Sequence, residues 1–148
     1  LQTIGSIPLW KGVFHLTYCE NTGAAFSMFT GQRWMLLAVT VVLLVGLLWA
    51  LYKGWMQNAF GRLSLQLIIG GAIGNMIDRC TIGVVTDFID FCAFPGLWKW
   101  IFNIADCAVT IGGGMMFVWL IWSIIVEIKN KKNAVANPEN EHADDAQS

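Results

Sequence analysis

Seven polar residues between positions 75 and 106 are of types that can do chemistry: Asn75, Asp78, Arg79, Asp87, Asp90, Asn103 and Asp106. They fall at the ends of two hydrophobic stretches and in the loop between them. An ionised Asp at the centre of a membrane helix costs about 2.5–3.5 kcal/mol, and less near the interface, so acids at such depth are functional candidates. Asp87 follows one stretch and Asp106 opens the next from the same side, which puts the two near one height. Two carboxyl groups brought together there cannot easily both ionise, so the pair holds one proton. Such a pair suits amide hydrolysis. The charged member draws a proton from water, and the protonated member hydrogen-bonds the scissile carbonyl. The proton belongs to the pair and not to either residue.

Three structural readings compete with a chemical one. Asp78 and Arg79 are adjacent and suit an ion pair at a helix end. Asn103 suits an N-cap, with Asp106 three residues on at the positive end of the helix dipole. Asp90, beside Phe91, reads as a solvated loop residue. Four cysteines, Cys19, Cys80, Cys92 and Cys107, and two histidines, His15 and His142, match no zinc spacing. The cysteines read as unpaired apolar filler, and a disulfide among Cys19, Cys80 and Cys92 is left open. No metal or other cofactor is expected.

The elements that must position these residues are membrane spans. Of 148 residues, 56% are hydrophobic and only 13% charged, whereas a soluble domain carries about 25% charged residues. Mean hydropathy is +0.59. Eight Trp suit the membrane–water interface. A net charge of −1 gives no basic surface for nucleic acid. Residues 34–52 lack any charge and are long enough to span a bilayer as a helix. Residues 63–77 form a weaker span, with Gly70 and Gly74 at a GxxxG spacing and Gly71 beside them. Its end is marked by Asn75, Asp78 and Arg79. Residues 104–128 form a third, carrying Gly112, Gly113 and Gly114.

Between the spans, residues 10–18 are strand-like and break at Asn21-Thr22-Gly23, and residues 82–91 suit a short extended piece. Residues 24–29 are a short apolar run suited to the interface, where they could cover the site. Trp98 and Trp100 read as interface anchors. The domain is expected to be residues 1–128, membrane-embedded, with 129–148 a polar disordered cytoplasmic tail. Lys129, Lys131 and Lys132 mark the cytoplasmic side. Three spans then place residue 1 outside, so a further spanning helix is expected upstream of it.

Four segments in order resemble bacterial lipoprotein signal peptidase, signal peptidase II. They are NTGAAF at 21–26, GGAIGNMIDR at 70–79, VVTDFIDF at 84–91 and FNIAD at 102–106. The resemblance spans nearly all of residues 9–126. It implies an all-α membrane protein: a transmembrane helix bundle with a small extracytoplasmic β element, multi-pass in the inner membrane, with its active site near the extracytoplasmic face. It implies removal of the signal peptide from diacylglyceryl-modified prolipoproteins, cutting before the lipidated Cys. A monomer in the lipid bilayer is expected. The catalytic pair carries over to Asp87 and Asp106, with Asn21, Asn75, Asp78, Arg79 and Asn103 in support. Asn75 and Asn103 would orient the carboxylates or the substrate backbone, and Asp78 and Arg79 would brace the site. The family's first helix, with its Asp-Gln and Lys motif, has no counterpart in these residues, and Thr86 stands where Val is usual. The small residues Gly70, Gly71, Gly74, Ala105, Ala108 and Gly112 would flank a lateral path for the signal helix.

Two other functions compete. A lipid phosphotransferase would hold Mg²⁺ on Asp78, Asp87, Asp90 and Asp106, and a proton-coupled transporter would relay protons through the same acids. Between Val109 and Val126 only Thr110 and Ser123 are polar side chains, which leaves no relay across the third span. A cysteine peptidase fits least, since no His lies in a span.

Overall fold

The structure, a computed structural model, describes residues 3–23, 29–56, 58–94 and 100–136. It contains strands β1 (Thr3–Trp10), β2 (Phe14–Asn21), β3 (Val85–Phe91) and β4 (Ile101–Phe102), and helices α1 (Arg33–Tyr52), α2 (Ala59–Thr81) and α3 (Ile104–Ala136). The three helices are long and apolar enough to cross a membrane. The strands form one antiparallel sheet in the order β1-β2-β3-β4.

The extended piece expected over residues 10–18 is in fact two strands. Gly12, at φ 74°, takes the left-handed conformation that only glycine adopts freely. Val13 N donates to Trp10 O at 3.0 Å and closes the turn. β1 was not legible because Gly5 and Pro8 interrupt its pattern. It is an edge strand, where a proline costs no ladder hydrogen bond. On β2 the side chains alternate as the pleat requires. Thr17 and Cys19 are buried and Tyr18 between them is exposed. Val85 and Asp87 of β3 are buried beside them.

α1 packs on α2 through Leu44, Ala50, Leu65 and Ile69, with Leu47, Leu51 and Met116 packed against that cluster. The outward sides of α1 and α3 expose Val42, Val45, Phe117, Trp122 and Ile125. A continuous apolar exterior of this kind fits hydrocarbon and not water. α2 begins with Asn58, whose Oδ1 accepts from Gly61 N at 2.7 Å. It runs to Thr81, so Asn75, Asp78 and Arg79 lie in its last two turns.

The α2–α3 interface is the closest in the bundle. A Cβ added at Gly71 would collide with Ala105 O and Val109. One at Gly112 would stand 2.7 Å from Ser64 O, and one at Gly74 would stand 3.1 Å from Ala105 Cβ. Gly70 faces open space, as do Gly113 and Gly114. The glycines that matter are therefore Gly71, Gly74 and Gly112, not the Gly70/Gly74 pair. Gly71, Gly74, Gly112 and Ala105 pack the two helices closely together. The contact at Ala105 fixes the first turn of α3, which carries Asp106.

α3 is unbroken through its three glycines and extends past Lys129 to Ala136. Lys131 Nζ pairs with Glu127 at 2.6 Å, one turn apart, on that extension. The expected disordered tail is thus helical over 129–136, and its remainder lies outside the described residues. The run at 24–29 also lies outside them except for Phe29, as does Trp98.

Candidate active site

The polar residues meet where the end of α2, the start of α3 and the buried face of the sheet come together. α3 starts with a reciprocal cap. Asp106 N donates to Asn103 Oδ1 at 3.0 Å, and Asn103 N donates to Asp106 Oδ2 at 3.1 Å. This is a capping box with Asn and Asp in the usual Ser/Thr and Glu roles. The helix-start reading of Asn103 and Asp106 therefore holds, and it does not compete with a chemical role. The cap fixes which end of the Asn103 amide is which. Its Oδ1 is spent on the helix, and its Nδ2 is aimed away from it.

That Nδ2 donates to Asp87 Oδ1 at 2.8 Å and to Asn75 Oδ1 at 3.0 Å. Asn75 Nδ2 donates in turn to Asp106 Oδ1 at 2.8 Å. Asp87 and Asp106 are therefore both bound to one residue, Asn103: one by its side chain, the other by its backbone. Asp87 Oδ2 accepts from Asn21 Nδ2 at 3.0 Å. Asn21 is oriented by its own turn, since its Oδ1 accepts from Gly23 N at 2.9 Å. The sheet register makes this contact a cross-strand diagonal. Asn21 pairs with Val85, Cys19 pairs with Asp87, and the amide reaches along the face between them.

All four carboxyl oxygens thus accept a hydrogen bond from an amide held at its other end. Asp87 is 1% exposed and Asn103 5%. Burial pushes Asp87 up to about 6 from its ordinary 3.8. The Asn21 amide pulls the other way, the nearby charge of Asp106 adds to the rise, and Asn103 and Arg79 oppose it. Burial outweighs the donors, and the proton is retained well above the pH at which a solvated Asp loses it.

Asp78 and Arg79 do not form the ion pair their adjacency suggests. Successive residues of a helix point in different directions. Asp78 Oδ2 accepts from Thr86 N at 3.0 Å, which ties α2 to β3 next to Asp87. Arg79 is buried; its Nη2 donates to Gly23 O at 2.6 Å and its Nη1 to Asn75 O at 3.2 Å. It pins the turn carrying Asn21 onto the helix carrying Asn75. Both residues brace the site, each through backbone and not through the other. Gly23 was missed as a contributor because its part is played by a carbonyl. The quoted NTGAAF segment was its only signal.

Asp90 is not a solvated loop residue: it is half-buried and accepts from Thr17 Oγ1 at 2.8 Å. With Asp78 on a backbone amide and Asp90 on Thr17, the four acids do not converge as a Mg²⁺ site would require. All four cysteines are free thiols, so none of Cys19, Cys80 and Cys92 forms a disulfide.

Three apolar spans with two carboxyl groups held at their end, under a sheet, define a multi-pass membrane protein built around an acidic pair. Comparison with known proteins narrows the class. The model of the signal peptidase (SPase) II family matches residues 1–122. The lipoprotein signal peptidase of Halothermothrix orenii is 44% identical over 115 residues, 78% of this chain and 75% of that one. That of Clostridioides difficile is 38% identical over 122 residues, 82% of this chain and 80% of that one. A bacterial membrane enzyme solved by the in meso method superposes with a TM-score of 0.76 at 31% identity, covering 84% of this chain and 75% of that one. The chain belongs to the signal peptidase II family, the proteases that remove signal peptides from prolipoproteins.

Proposed function

We propose that Asp87 and Asp106 are the catalytic pair of an intramembrane aspartyl endopeptidase that cuts diacylglyceryl-modified preproteins just before the lipidated Cys. The observation that carries this reading is the attachment of both carboxyl groups to Asn103. A water between them gives up a proton to the charged carboxylate as it attacks the scissile carbonyl. The protonated carboxyl donates to that carbonyl as its charge develops. The first carboxyl, now protonated, then delivers its proton to the leaving amine. Fixed donors to all four carboxyl oxygens keep both side chains in place throughout, so little reorganisation accompanies the reaction. Asn75 and Asn21 orient Asp106 and Asp87, and Asp78 and Arg79 hold the strand and turn that carry them.

The reading places the pair near the extracytoplasmic face of the inner membrane. The sheet would cover the peptide near the cut, and the two acyl chains would remain in the bilayer. The test is cleavage in lipid vesicles of one preprotein with and without diacylglyceryl on its Cys, with products identified by mass. Expected is a mature product beginning at the lipidated Cys, and much slower cutting of the unmodified form. Equal rates on both, or a cut elsewhere, contradict the proposal.

The pair must keep one proton, so its rate falls as pH rises through the pKa of Asp87, about 6. Asn21→Leu keeps the branching of the side chain but removes the amide that favours the charged form. The pKa then rises, and the alkaline limb of the rate profile moves to higher pH. A limb that stays in place or moves to lower pH would show that Asp87 is not the group that titrates there.

A further inference from the structure

A second cluster lies on the same sheet, and the peptidase mechanism makes no use of it. His15, Asp90 and Cys92 each offer a ligand atom, and the three atoms lie within 4.8 Å of one another. His15 of β2 and Asp90 of β3 are cross-strand partners. Cys92 follows β3, and its backbone N donates to Val13 O at 2.8 Å, which holds it against the start of β2. The ring Nε2 of His15 is buried with no hydrogen-bond partner. A buried polar atom left without a partner is unfavourable unless something binds it. The other ring nitrogen, Nδ1, lies 3.3 Å from Ser6 Oγ. If Nδ1 carries the hydrogen and donates to that hydroxyl, Nε2 presents its lone pair, as in metal-binding histidines. Asp90 is oriented in the same manner, with Oδ2 held by Thr17 Oγ1.

We propose that His15, Asp90 and Cys92 bind a divalent zinc-class ion that cross-links β2 to the end of β3. Nitrogen, carboxylate oxygen and thiolate together suit Zn²⁺ and do not suit Mg²⁺ or Ca²⁺. Bonds of about 2.0–2.3 Å require these atoms to draw together by on the order of 1 Å, and water would fill the fourth position. Binding converts the Cys92 thiol to thiolate and releases its proton to solvent. The role is structural. Asp90 is three positions along β3 from Asp87, so the ion would steady the strand that carries one carboxyl of the pair.

The probe is Co²⁺ titrated into the purified full chain in detergent, read by thiolate-to-cobalt charge-transfer absorption, followed by displacement with Zn²⁺. Expected is one equivalent per chain, a band lost in Cys92→Ser and kept in Cys80→Ser, and affinity lowered at least about tenfold in His15→Gln. Cys92→Ser is close to isosteric, and thermal unfolding without metal should match the parent. Absence of the band, its survival in Cys92→Ser, or full affinity in His15→Gln would each overturn the site.

Discussion

Asp87→Asn and Asp106→Asn are each expected to lower kcat by at least about 10³-fold with the protein still folded, an activation penalty of about 4 kcal/mol. Neither amide can exchange a proton with water or a leaving amine, so the loss falls on chemistry and not on binding. Stability changes less. An Asn at 87 keeps one acceptor but turns an NH₂ toward the Nδ2 of either Asn103 or Asn21, both of which donate to Asp87. A donor facing a donor costs about 1–3 kcal/mol, partly offset because no charge is buried. The same reasoning applies at 106, where the donors are Asn75 Nδ2 and Asn103 N. Thermal unfolding in detergent and single-turnover cleavage of a lipidated preprotein separate the two effects. Wild-type kcat in either variant would remove that residue from the mechanism.

Asn103 should show the next largest effect, and two substitutions separate its two tasks. Asn103→Ser leaves a hydroxyl to cap Asp106 N and a backbone N–H for Asp106 Oδ2. It removes the Nδ2 that ties Asp87 to Asn75. With one carboxyl free to shift by about 1 Å, kcat should drop by about 10²-fold with KM little changed. Asn103→Ala loses the cap as well, and should cost about 1 kcal/mol more in stability for a similar loss of kcat. If the Ser variant were fully active, the bridge through Nδ2 would have no part in catalysis.

The same residue shows where the fold was legible in the sequence. A capping box is local, so the spacing of Asn103 and Asp106 suffices to start a helix there. The Nδ2 bond to Asp87 joins a cap to a strand residue, and no periodicity reports it. Only the order of the four segments pointed to it. α1 was legible because no charge interrupts residues 34–52. The far end of α2 was legible to within about one turn, because Asn75, Asp78 and Arg79 fall in its last two turns. In the fold they stay helical and are satisfied by Asp106, the Thr86 amide and the Gly23 carbonyl. Adjacency in sequence suggests a pairing of Asp78 with Arg79, yet a helix turns neighbours apart. Past Lys129, polarity suggested disorder, but composition does not register an i,i+4 pair such as Glu127 and Lys131.

The claim beneath all of this is that the two carboxyl groups act as one unit. Groups that share a step give non-additive losses. The most direct test is the rate of signal-peptide release from a diacylglyceryl-modified preprotein by Asp87→Asn, Asp106→Asn and the double variant, assayed together. The double variant should be no slower than the more impaired single one. Losses that multiply in the double variant would mean two independent roles and would contradict the paired-acid mechanism.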